Sequence, residues 1–162
     1  MLGLSKETVN DLSWLYIPER GILPHRVSFP SNFSPNVVPA GKTSVLAEVT
    51  CNFDDDVWRM EDEDLIDRVI ADLDQLNIIK GRHVSFAKVH KTEFAYAISD
   101  LDYRENVKIV RDYIGGLGID LVGRFARFEY LNMDACVAGA MDHVDAYGDA
   151  PHDIDAPPAR PK

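Results

Sequence analysis

Residues 123–134, Gly-Arg-Phe-Ala-Arg-Phe-Glu-Tyr-Leu-Asn-Met-Asp, bring Arg124, the rings of Phe125, Phe128 and Tyr130, and the start of an apolar helical pattern at Asn132 into one short stretch. A guanidinium forks onto phosphate or carboxylate. Aromatic rings can wall a flat ligand. A helix that opens at Asn132 presents free N–H groups and the positive end of its dipole. Together these groups make a corner suited to a large anionic ligand with a flat ring. The same residues also fit a structural corner in which Arg127 pairs with Glu129 and the rings are core. Spacing alone leaves both open.

Other chemistries find less support. The carboxylates Asp54, Asp55 and Asp56, and then 61–64, lack the alternation and the turn glycine of a calcium loop. The second group falls in the first turn of an expected helix, where negative charge offsets the dipole. His83 and His90 have opposite strand parity, and His143 stands alone on a helix, so no metal site is expected. Gly115-Gly116-Leu117-Gly118 closes a helix instead of opening one, unlike a dinucleotide fingerprint. There is no Walker motif and no Gly-x-Ser-x-Gly elbow.

The elements that must position the corner follow from periodicity. Residues 14–17, apolar on both faces and ended by Pro18, predict a central strand. Val27 and Phe29 share one face of a strand over 25–29, with Arg26 and Ser28 on the other. The proline-rich 30–41 predicts a long ordered loop, and 43–51 a half-buried strand. Leu65, Val69, Leu73 and Leu76 set the apolar stripe of a helix over 62–77. Residues 83–89, 93–98 and 119–122 read as extended. A second helix is expected from a capping box of Asp102 and Glu105, with Tyr103, Val107, Val110 and Ile114 as its stripe. A third is capped by Asn132, with Val137, Ala140, Met141 and Val144 on its inner face. The fold class is therefore α+β, a mixed, largely antiparallel sheet with helices packed on it.

At 162 residues the length prior gives one domain, 1–147, followed by an acidic, proline-rich surface tail, 148–162. The formal charge of −10 excludes nucleic acid and anionic membrane as partners. No apolar run approaches a membrane span, and residues 1–10 have no signal-peptide pattern. Cys51 and Cys136 are then expected as reduced thiols in a cytoplasmic protein, and the glycosylation tripeptide at Asn32 as a chance match.

The corner resembles the C-terminal flavin-contacting segment of the UDP-galactopyranose mutase branch of flavin-dependent amine-oxidase-like proteins. Members read Gly-Arg-x-Gly-x-Trp/Phe-x-Tyr-x-Asn-Met/Gln-Asp. Residues 14–35 are similar to that family's Tyr-Phe-Pro-Glu, Phe-x-Arg and Ser-Asn-Phe/Tyr-Ser-Pro stretches. Residues 44–50 resemble the next strand, and 94–114 the tyrosine-bearing segment and helix before the flavin corner. The similarity spans most of 14–145.

The resemblance implies a segment of a larger FAD-binding α/β flavoprotein, without the N-terminal glycine fingerprint that holds the ADP half of FAD. In the mutases, reduced flavin attacks the sugar's anomeric carbon through N5 and displaces UDP, and the ring recloses as a furanose. Carried over by position, Arg124 approaches the FAD phosphates, and Asn132, Met133 and Asp134 lie at the helix end beneath the flavin. Arg26, Tyr16, Tyr96 and Tyr130 match positions facing a nucleotide sugar such as UDP-galactose. No residue is assigned as catalytic. The implied partners are that nucleotide sugar and the N-terminal FAD-binding portion. The sequence departs from the pattern at Pro24, Ala97, Ala126 and Ala135; the last stands where mutases often carry histidine.

Two other expectations stand beside the mutase-like one. One is a segment of an oxidoreductase of the amine-oxidase or protoporphyrinogen-oxidase type. The other is a non-catalytic binding domain that self-associates as a homodimer, covering Phe125, Phe128 and Tyr130.

Overall fold

Alternation of side chains about Val27 and Val45 lets the strands of the first half share one buried face. The computed structural model of the chain describes residues 1–147, so the acidic tail, 148–162, lies outside the described residues. It is α+β. Two compact units are distinguished, Met1–Glu93 and a second that begins at Phe94.

The first unit holds a five-stranded sheet made of β1 (Leu2–Leu4), β2 (Trp14–Tyr16), β3 (Arg26–Ser28), β4 (Thr43–Glu48) and β5 (Val84–Ala87), in the order β2-β3-β4-β1-β5. Every pairing is antiparallel. The register aligns Leu15 with Val27 and Val27 with Ala47, which puts one apolar row on one face. Leu2, Leu4, Val27, Phe29 and Val45 are buried from the sheet side. Helix α3 (Asp62–Gln75) completes this core with Leu65, Val69 and Leu73, spaced one turn apart.

The 62–77 helix and the strands over 25–29 and 43–51 form close to where periodicity placed them. The strand expected to be central, 14–17, is instead an edge. Trp14 and Tyr16 point to the face away from the core and stay exposed, while Leu15 and Ile17 turn inward. Aromatic residues on an open face mimic the apolar run of a central strand. β1 was not anticipated, because its Leu-Gly-Leu is too short to show a period.

The proline-rich 30–41 is not a plain loop: α1 (Pro30–Phe33) and a 3₁₀ turn (Pro35–Val37) occupy it. Proline at the first helical position loses no hydrogen bond. The Asn32 side chain donates to the carbonyls of Asn10 and Leu12, at 2.9 and 2.6 Å, tying this turn to the segment before β2. That amide is therefore engaged in the fold. A short helix, α2 (Asp56–Arg59), follows β4, and its Asp55 accepts the Asn52 N–H. The acidic run 61–64 lies at the start of α3. The turn between β2 and β3 is pinned by buried Asp72, which accepts from the Leu23 N–H at 2.7 Å and from Arg68 Nε at 2.9 Å.

The second unit is helical: α4 (Tyr103–Gly116), α5 (Arg124–Arg127) and α6 (Met133–Tyr147). Residues 93–98 and 119–122, expected as extended segments, form no strand here; nothing in the second unit pairs with them. The capping box of Asp102 and Glu105 does not form either. Asp102 is itself in a helical conformation, makes no side-chain cap, and its N–H goes to Asp100 Oδ1. Glycine does end α4, through the positive φ of Gly118. No helix among the described residues is long and apolar enough to cross a membrane.

Candidate functional site

The corner at 123–134 is built around a single helical turn, α5, which follows directly on the 119–122 segment. Gly123 enters it at φ 91°, a conformation suited to glycine. After α5, Phe128 adopts the left-handed region at φ 53° and ψ 42°. The Glu129 N–H returns to the Arg124 carbonyl and the Phe128 N–H to the Phe125 carbonyl, the paired closure that normally uses glycine. A left-handed residue with a side chain costs about 1–2 kcal/mol. The Phe128 ring offsets part of that by stacking on Tyr103 of α4, centroids 6.4 Å apart.

This closure turns Arg124 toward the residues that follow it. Its guanidinium carbon lies 4.2 Å from the centre of the Tyr130 ring and 5.4 Å from that of Tyr96. Its Nη1 donates to the Leu131 carbonyl at 2.9 Å. The cation is thus caged by two rings and held against the backbone just before α6. Its remaining N–H groups have no protein acceptor among the described residues. Asn132 supplies the carbonyl that accepts the first intrahelical bond, from the Cys136 N–H at 3.0 Å. The N–H groups of the first turn, Met133 and Asp134 among them, have no intrahelical partner by helix geometry. All three of Asn132, Met133 and Asp134 are exposed.

Three of the residues singled out from sequence, Arg124, Tyr96 and Tyr130, therefore meet in one cluster, with Asn132, Met133 and Asp134 following directly along the chain. Tyr16 and Arg26 meet in a separate cluster in the first unit. They are register partners on β2 and β3, with the guanidinium carbon 5.9 Å from the Tyr16 ring centre. Arg26 also faces its other register partner, Glu48, with Nε 3.2 Å from the carboxylate. The angle there is poor, and the buried Nε makes no hydrogen bond. Glu48 carries no sequence signal of its own, although its position opposite Arg26 follows once the register is known.

The structural alternative for the corner holds in one half only. Arg127 does face Glu129, at 3.3 Å, but the rings are not core: Phe125 is 51% and Tyr130 80% exposed. Glu129 also accepts from Arg111 Nη2 of α4 at 2.8 Å, a partner that sequence analysis missed. The available signal was Arg111 itself, a cation continuing the four-residue row of Tyr103 and Val107. The Arg111 hydrogen bond is the main cause that holds the Glu129 carboxyl below its ordinary value of 4.5. Desolvation opposes it, and Arg127 adds to it.

A pH dependence follows. A depressed carboxyl stabilises the fold above its unfolded value and loses that contribution as pH falls through the folded one. The stability difference between wild type and Glu129→Gln is therefore expected to stay constant from neutrality to about pH 5 and to narrow in stronger acid. Thermal unfolding across that range measures it. A difference independent of pH would show that the ion pair contributes nothing.

No protein-family model matches the chain, and no curated protein matches it. Among solved structures, its fold is similar to the crystal structure of reduced UDP-galactopyranose mutase, with a TM-score of 0.71 and 22% identity. The match covers 92% of this chain and 33% of that one. The chain thus has the fold of a segment of that protein and spans about a third of its length.

Proposed function

We propose that this chain supplies the wall that contacts flavin and nucleotide sugar in a UDP-galactopyranose mutase-like flavoprotein. The observation that carries this is the Arg124 cage: a guanidinium gripped by Tyr96 and Tyr130 and seated on Leu131 at the start of α6. That donor set fits a phosphate, since the cation is preorganised and keeps unpaired N–H groups. FAD, when bound, supplies the reactive ring. The chain's own tasks are to orient that ring with the first turn of α6, through Asn132, Met133 and Asp134, and to neutralise the FAD diphosphate with Arg124. Tyr16, Arg26, Tyr96 and Tyr130 would hold the nucleotide sugar. Similarity of fold to a segment of a mutase supports this assignment. Alanine at position 135 removes a polar group that the mutases often carry beside the flavin.

Calorimetric titration of the chain with FAD and, separately, with UDP-galactose tests it. Little FAD affinity is expected, because the glycine fingerprint for the ADP half is absent from these residues. Measurable UDP-galactose binding that is lost on Arg26→Ala and weakened by Tyr96→Phe is the supporting result. Silence in both titrations would overturn it.

Self-association is favoured by a separate observation. No side chain from 94 to 146 is buried, and Phe125, Phe128, Tyr130, Val137, Met141 and Val144 are all exposed. The expected inner face of α6 is thus bare. Apolar surface on this scale marks an interaction site. Light scattering is expected to give a dimer; a monomer at high concentration would argue against self-association.

A further inference from the structure

Helix α4 carries anion-binding groups that the Arg124 corner does not use. Arg104, Lys108 and Arg111 recur at helical spacing and, with Tyr103, Val107 and Glu129, line a cavity of about 380 Å³. Asp112 also lines it and pairs with Lys108. Glu129 is taken up by Arg111 and Arg127, and its lowered pKa reports the cationic surroundings. Both carboxylates facing the cavity are thus already matched.

Two groups remain unmatched. Arg104 forms no ion pair among the described residues. Arg111 Nε is buried without an acceptor, an arrangement that costs free energy until one arrives. The net charge of −10 gives the chain no general attraction for anions, so any affinity must come from this local cluster.

We propose that this cavity is a binding site for a phosphate group. Arg104 contributes the unneutralised charge, Arg111 a second guanidinium, and Val107 with the Tyr103 ring an apolar wall for whatever the phosphate is attached to. The site stands on its own residues and does not depend on a flavin at Arg124.

Calorimetry of the full chain with inorganic phosphate and with phenyl phosphate, at fixed ionic strength, tests it. Saturable binding in the millimolar range is expected for phosphate. Tighter binding of phenyl phosphate would identify an ester as the ligand, and equal binding the free anion; either supports the site. Arg104→Ala should weaken binding about tenfold, the loss typical of one charge-assisted contact, and Arg104→Lys by less. Arg104 takes part in no ion pair among the described residues, so its replacement leaves the fold intact. Because Arg124 itself fits a phosphate, the titrations are repeated in Arg124→Ala, where saturable binding that depends on Arg104 should persist. Absence of saturable heat, full affinity in Arg104→Ala, or a loss that follows Arg124→Ala instead would each overturn the assignment.

Discussion

In the flavoprotein proposed above, Arg124→Ala is expected to weaken FAD binding about tenfold to a hundredfold, the range set by losing a charge-assisted contact of ~1.5–3 kcal/mol. The size of the effect has two sources. The FAD diphosphate loses its guanidinium, and Tyr96 and Tyr130 lose the cation that both rings cover. Lysine at this position should rescue poorly, because an ammonium cannot donate to Leu131 and present a second fork to the ligand. The fold should survive, since each exposed cation–π contact is worth only about 0.5–1 kcal/mol. Calorimetry paired with thermal unfolding separates the two effects. Unchanged affinity in a folded Arg124→Ala protein would remove the corner from the ligand site.

Phe29→Ala is expected to cost about 3–5 kcal/mol, the usual range for truncating a buried phenylalanine to alanine. Phe29 is only 1% exposed and is the largest of the fully buried side chains. It follows β3 on the core face, its N–H donates to Ser13, and it immediately precedes α1. Removing the ring opens a cavity in the core cluster that also holds Val27, Val45 and Leu73, and whose buried residues all lie within the first unit. A loss of this size is a large share of a typical domain's stability. Denaturant unfolding followed by Trp14 and Trp58 fluorescence measures it. A change below about 1 kcal/mol would mean the core relaxes to fill the space.

The acid sensitivity expected from Glu129 belongs to the Arg124 region alone. Arg111 and Arg127 converge on that carboxylate, while Phe128 accepts a left-handed backbone and stacks on Tyr103. Helix α4 therefore sets the conformation of the turn that carries Arg124. Residues outside the Arg124 corner position those within it.

Much of this was legible in the amino-acid sequence. The apolar rows of Val27, Phe29 and Val45 and of Leu65, Val69 and Leu73 determined a strand face and a helix face, because side-chain period follows directly from backbone geometry. Local chemistry marked Arg124, Tyr130 and Asn132 as candidates, the family resemblance added Tyr96, and the pattern of elements indicated α+β as the class. Tertiary structure decided what depends on long-range pairing. It placed β2 at an edge, inserted β1 between β4 and β5, and turned 124–127 into a helical turn closed by a left-handed phenylalanine. It also chose the partners of each charge: Glu48 for Arg26, Arg111 for Glu129, and two tyrosine rings for Arg124. Sequence periodicity records which way a side chain points along its own element, whereas the group it meets is set by the register and packing of elements distant in the chain.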